Sequence, residues 1–248
     1  MNHAIVLDIE TIADIDACNR AGVDPAADFP AWPLHQLLCV SLLSVDRDDR
    51  QRHRFAIQTF SRATMSERAI VAEVERRMEG ARTVLTYNGR GFDIPVLLSR
   101  AAATGEAVPS LIRAGSRANA GYHVDLLDEI TDFGAAVRPK LIEICAGFGI
   151  PAKIDIAGSS VAELAAAHNF PRIARYCETD VVATWLAAQM WRSVHAPGSG
   201  VASWGELAAW VLGDQPRLTH LLPYTADLPD GATGGRALHD KAGGLVDL

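Results

Sequence analysis

The stretch Ile5-Val6-Leu7-Asp8-Ile9-Glu10-Thr11 constrains the chain more than any other. It is an apolar run fit for a core strand, yet it carries two carboxylates two residues apart. Strand side chains alternate between faces, so Asp8 and Glu10 project from the same one. Two carboxylates held that close at a buried edge repel each other unless a cation sits between them. Hard divalent cations such as Mg²⁺ take oxygen ligands of this kind. An exposed strand end leading into a polar loop would look the same, so the fragment alone leaves both open.

A length of 248 residues suits one α/β domain with elaborations, or two small domains at most. The chain is 49% hydrophobic and 21% charged, enough to bury a sizeable core. A net charge of −7 argues against coating long duplex nucleic acid through a broad basic surface. It leaves room for a short strand at an acidic cleft, where bound ions supply the positive charge. Cys18, Cys39, Cys145 and Cys177 form no CxxC pair. They read as reduced, buried side chains of a cytoplasmic protein. The N-terminus lacks a secretory pattern and no apolar run is long enough to span a bilayer, so no membrane partner is expected.

Residues 3–9, 37–45 and 54–60 read as three strands. The charged turn DRDDRQR between the last two predicts an antiparallel meander. Pro25, Pro30 and Pro33 make 13–36 an irregular loop. A helix is predicted over 66–80, with Ser66 as cap and Ile70, Val71, Val74 and Met78 at helical spacing. A fourth strand follows at 83–87, then a Gly-containing turn, a helix over 92–103 and a fifth strand at 122–127. Helices are expected over 140–148, 158–168 and 170–193, with a loop at 151–160 before the second. Residues 1–194 form the main domain on this reading. The run Ala196-Pro197-Gly198-Ser199-Gly200 is a linker signal, 203–212 a further helix with Trp204, Leu207 and Val211 on one side, and 223–248 a loose tail.

Three later segments carry further groups. In Thr86-Tyr87-Asn88-Gly89-Arg90-Gly91-Phe92-Asp93 an acid opens a helix, where it also suits the helix dipole. Asn88 can fix the turn or reach a ligand. In Arg175-Tyr176-Cys177-Glu178-Thr179-Asp180, Tyr176 and Asp180 are four apart and share a helix face. They border the apolar stripe Ile173, Cys177, Val181, Trp185 and Ala188; a surface pair on an amphipathic helix is the plain alternative. The pair His123 and Asp125 can bind a metal, but more commonly such a pair is a strand end with satisfied polar groups.

In this order, LDIET, YNGRGFD and YCETD resemble the three exonuclease motifs of the DEDD superfamily, in the subgroup with tyrosine in the third motif. The chain looks like the predicted 3′–5′ exonucleases related to the proofreading domain of family B DNA polymerases. The segments FPAWPLHQLLCVS at 29–41, HVDLLDEI at 123–130 and GSSV at 158–161 add to the likeness, which covers roughly residues 4–192. The resemblance implies an α/β, ribonuclease H-like fold: a mixed five-stranded sheet with its first three strands antiparallel, flanked by helices. It implies that Asp8, Glu10 and Asp180 ligate two Mg²⁺ or Mn²⁺ ions, with Asp93 joining directly or through water, and that Tyr176 orients the attacking water. Thr11 and Ile12 would contact the terminal nucleotide, and Asn88 and Phe92 the penultimate one. Arg90 either meets a phosphate or is an exposed loop arginine. The implied substrate is the 3′ end of single-stranded DNA or RNA, with a polymerase or repair partner in trans. A nucleic-acid-binding or recruiting module and a hydrolase of small phosphates or nucleotides are the alternatives. Oligomeric state has no sequence signal.

Overall fold

The structure is a computed structural model and describes residues 3–119, 121–152 and 161–226. The strands are Ala4–Ala13 (β1), His35–Arg47 (β2), His53–Ser61 (β3), Thr83–Thr86 (β4) and His123–Asp125 (β5). They form one sheet in the order β3-β2-β1-β4-β5. The first three are antiparallel, and β4 and β5 run parallel to β1. The helices are Ile15–Ala21 (α1), Glu67–Met78 (α2), Asp93–Thr104 (α3), Pro109–Gly115 (α4), Leu126–Thr131 (α5), Leu141–Phe148 (α6), Val161–Ala166 (α7), Phe170–Arg192 (α8), Ser199–Gly213 (α9) and Gln215–Leu218 (α10). This is the ribonuclease H-like arrangement.

Strand periodicity sorts the core into two layers. Ile5, Leu7 and Ile9 pack with Ile70 and Val74 of α2 and Ile94 and Leu97 of α3. Val6, Leu43 and Val45 face the other way, against Val181 and Leu186 of α8 and Trp204 and Leu207 of α9. Both sheet faces are covered, which is why β1 and β2 are apolar almost throughout. Asp8 and Glu10 share the parity of Val6, so they emerge on the α8 side.

Several elements differ from the sequence expectation. β1 runs on to Ala13, because Thr11, Ile12 and Ala13 pair with Leu37, Gln36 and His35 of a β2 that starts earlier than Leu37. Part of the expected 13–36 loop is α1, capped by the Asp14 side chain on the Ala17 N–H and closed by left-handed Gly22 before the prolines begin. The fifth strand stops at Asp125, whose carboxylate accepts the Leu127 N–H and starts α5 instead. The helix over 203–212 extends back to Ser199 through the expected linker. Residues 223–225 belong to a 3₁₀ segment, Thr219–Thr225, with Tyr224 fully buried, so the loose tail does not begin at 223. The rest of that tail, and most of the 151–160 loop, lie outside the described residues.

Candidate active site

β1 and α8 build the centre. One carboxylate oxygen each from Asp8, Glu10 and Asp180 lies within 4.8 Å of the others; among the described residues this is the group able to hold a metal ion. The β1–β2 register slips directly after Glu10, at Leu38. Such bulges sharpen the local twist where a strand delivers side chains to a site.

Asp93 arrives by another route. β4 pairs with β1 only as far as Val6, so the end of β1 is open on that side. Asp93, at the first turn of α3, fills the opening and accepts the Ile9 N–H. It stands apart from the cluster of three, but lines one cavity of about 540 Å³ with Asp8 and Asp180.

Electrostatics fit a cation site. Burial above all, then the charges of Asp93, Asp180 and Glu10, raise the Asp8 pKa well above the carboxylate range. The Cys177 thiol donates to Asp8 Oδ2 at 3.3 Å and offsets this in part. Asp93 is pushed up to about 7, by burial first, with Asp125 and Asp180 adding to it. Carboxylates this costly to ionise together are relieved by a positive ion between them. An all-oxygen donor set is what Mg²⁺ or Mn²⁺ takes.

Tyr176 is buried, and its hydroxyl donates to Asp180. Burial and the nearby acids raise its pKa far above the phenol range, so it stays a protonated donor. Ile12 packs beside it with Leu38 and Cys39. The Thr11 hydroxyl donates to His35 Nδ1 at 2.9 Å, because His35 Nε2 is committed as donor to the Pro30 carbonyl.

The turn after β4 is held from behind. Asp125 accepts the backbone N–H groups of Asn88 and Arg90, each at 2.8 Å. Asn88 sits at φ 60°, and its side-chain oxygen accepts from Arg138. A Cβ on Gly89 would lie 2.5 Å from Thr86, so only glycine fits that approach. Arg90 is half-buried and not an exposed loop residue: it pairs with Asp128 at 3.1 Å and donates to the His123 carbonyl. His123 donates from Nδ1 to the Ala114 carbonyl and accepts at Nε2 from Thr86. The pair His123 and Asp125 is therefore architecture.

Asn88 and Phe92 line the same cavity as Asp93; Ile12 lies on the Tyr176 side, and Thr11 is tied to His35, whose ring centroid is 5.1 Å from that of Phe92. Sequence reasoning missed three other lining residues, Phe29, Arg138 and Lys140. Phe29 is 77% exposed, with its ring centroid 5.7 Å from Phe92 and 4.8 Å from His35. The signal for Arg138 and Lys140 was the basic pair around Pro139 in an acidic chain.

The fold is similar to that of the family B DNA polymerase from the hyperthermophilic archaeon Pyrobaculum calidifontis, with TM-score 0.52 and 18% identity over 88% of this chain and 29% of that one. It is also similar to apo exonuclease I, with TM-score 0.50 and 13% identity over 89% of this chain and 47% of that one. The chain thus spans less than half the length of either, and at these identities the likeness speaks for the fold. No curated protein matches the sequence. Residues 27–196 match a sequence family, a stretch that holds Asp93, Tyr176 and Asp180 and begins after Asp8 and Glu10. On that match the chain belongs to the predicted 3′–5′ exonucleases related to the exonuclease domain of PolB.

Proposed function

We propose that the protein shortens single-stranded DNA or RNA from its 3′ end by metal-dependent hydrolysis of the phosphodiester bond. The observation that carries this is the convergence of Asp8, Glu10 and Asp180, with Asp93 and Tyr176 beside them, in a member of an exonuclease family. Asp8, Glu10 and Asp180 would hold two Mg²⁺ or Mn²⁺ ions, with Asp93 as the adjoining fourth carboxylate. When bound, such ions acidify the attacking water and neutralise charge on the departing 3′ oxygen.

The chain's own groups do the rest. Tyr176 remains protonated, so its phenol orients the water and does not act as the base. The bond from Ile9 N–H fixes the Asp93 carboxylate against β1. Asn88 and Phe92, on a turn held by Asp125, face the penultimate nucleotide; Thr11 and Ile12 flank the terminal one. Arg138 and Lys140 supply positive charge at the rim of an otherwise acidic cavity. Residues 4–192 carry this machinery, and 199–225 brace it through α8. Four free, buried cysteines suit a reducing, cytoplasmic setting. A polymerase or repair protein acting in trans would supply the substrate end. Among the described residues, no helix is long and apolar enough to cross a membrane.

The test is a time course on 5′-labelled single strands of DNA and RNA with Mg²⁺, with Mn²⁺ and with chelator. A metal-dependent ladder descending from the 3′ end, absent in Asp180→Asn, supports the proposal. Intact strands under every metal would defeat it and move attention to a binding role.

A further inference from the structure

We propose that Phe29 is a base-stacking platform for the bound single strand, serving the nuclease reaction proposed above and resting on that reading. An exposed apolar side chain is ordinary on its own. What sets Phe29 apart is its place. Its ring is 77% exposed, yet it lines the cavity that holds Asp8, Asp93 and Asp180. Among the described residues it is the one exposed large apolar side chain to do so. It comes from none of the elements that carry the acids, but from the stretch between α1 and β2.

The ring is held without being hidden. Its centroid stands 4.8 Å from that of His35 and 5.7 Å from that of Phe92, tilted by 44° and 42°. His35 in turn meets Phe92 edge-on at 5.1 Å, so the three rings brace one another. His35 is itself fixed, donating to the Pro30 carbonyl and accepting from the Thr11 hydroxyl. Pro30, the residue after Phe29, is buried. The platform is therefore built before a strand arrives, and less ordering remains to be done on binding.

A phenyl ring open to water gains most from a flat apolar partner, and a nucleic acid strand offers one at every nucleotide. Each base has a π-face, so stacking accepts any sequence. The ring has no donor or acceptor, so it reads neither a base edge nor the 2′ hydroxyl that separates RNA from DNA. It also grips a strand without using positive charge, which suits a chain of net −7 whose cavity carries Asp8, Asp93 and Asp180. Phe92 faces the penultimate nucleotide on the reading above, and Phe29 lies beside it, so the two rings serve neighbouring bases of the 3′-terminal segment.

The experiment uses the full chain in chelator, where strands stay intact. It follows the anisotropy of a short fluorescent single strand, either complete or with an abasic residue at the terminal, penultimate or next position from the 3′ end. The variants are Phe29→Ala, Phe29→Leu and Phe29→Trp. Phe29→Ala is expected to bind the complete strand about tenfold more weakly, as for one lost base–aromatic stack. Phe29→Leu, which keeps apolar bulk without a π-face, should lose most of the same affinity, and Phe29→Trp should retain it. The log–log salt slope should hold, because no phosphate contact is lost, and so should the melting temperature, because the ring is exposed. One abasic position should weaken the wild type by a similar factor and Phe29→Ala no further, which locates the stacked base. Unchanged affinity in Phe29→Ala, or abasic losses at all three positions as large in that variant as in the wild type, overturn the inference while leaving the nuclease proposal standing. Full affinity in Phe29→Leu reduces the ring to an apolar brace and overturns it too. Phe29-dependent binding by a wild type that never cuts with metal would retain the platform and sink the nuclease proposal.

Discussion

Replacing Asp93 by asparagine should stabilise the metal-free protein while removing its activity. Asp93 is 6% exposed, and its pKa rises from the ordinary 3.8 to about 7 in the fold. Between those values the folded protein holds a proton that the unfolded chain has released. Stability from this group is therefore fully present below about pH 4 and is lost as pH rises through about 7. Three units at roughly 1.4 kcal/mol each make the loss about 4 kcal/mol at pH 8. Asparagine keeps an oxygen for the Ile9 N–H and carries no charge, so it escapes this cost. For a chain of this size each kcal/mol moves the melting temperature by roughly 2–4 °C, giving a gain of about 10 °C at pH 8 in chelator. The gap should close toward pH 4. Mg²⁺ should also narrow it, because ions that bind only the folded wild type add to its stability. Thermal melts at several pH values, with chelator and with Mg²⁺, read this directly. A variant melting at or below the wild type at pH 8 in chelator would refute the reasoning, as would a gap that ignores pH.

Other variants separate architecture from chemistry. Asp125→Ala frees the Asn88 and Arg90 amides, each lost bond to a charged acceptor costing about 1.5–3 kcal/mol. Urea unfolding should show that loss and KM should rise, while Mn²⁺ affinity holds because Asp8, Glu10 and Asp180 stand on β1 and α8. Tyr176→Phe should lower kcat roughly tenfold to a hundredfold, less than the loss of a general base because Tyr176 only orients the water, with Mn²⁺ affinity unchanged in a calorimetric titration. Trp204→Ala removes a fully buried indole whose N–H donates to the Tyr224 carbonyl, and should cost about 3–5 kcal/mol in urea unfolding.

Local periodicity made much of this legible. The two-residue spacing of Asp8 and Glu10 forces a shared face whatever surrounds the strand, and the four-residue spacing of Tyr176 and Asp180 does the same on a helix. The stripe Trp204, Leu207 and Val211 likewise reads from spacing, and all three are fully buried. What it packs against did not read. α8 buries Val182, Ala183 and Leu186 beyond its expected stripe because α9 covers a second side. α1 was hidden because Asp14 and Gly22 are weak signals beside three prolines. The anchoring of Asn88 by Asp125 spans 37 residues, and the contact of Phe29 with Phe92 exists only in the folded chain. Such pairings leave no trace in spacing.

The central claim is that the Asp8, Glu10 and Asp180 carboxylates act by holding divalent ions on which strand hydrolysis depends. It is tested by pairing Mn²⁺ titration of wild type and Asp180→Asn with single-turnover cleavage of a 5′-labelled strand by the same samples. The account predicts two bound ions and stepwise 3′ shortening in the wild type, and loss of at least one ion together with all cleavage in the variant, which remains folded. Cleavage persisting in folded Asp180→Asn, or in wild type stripped by chelator, would contradict it.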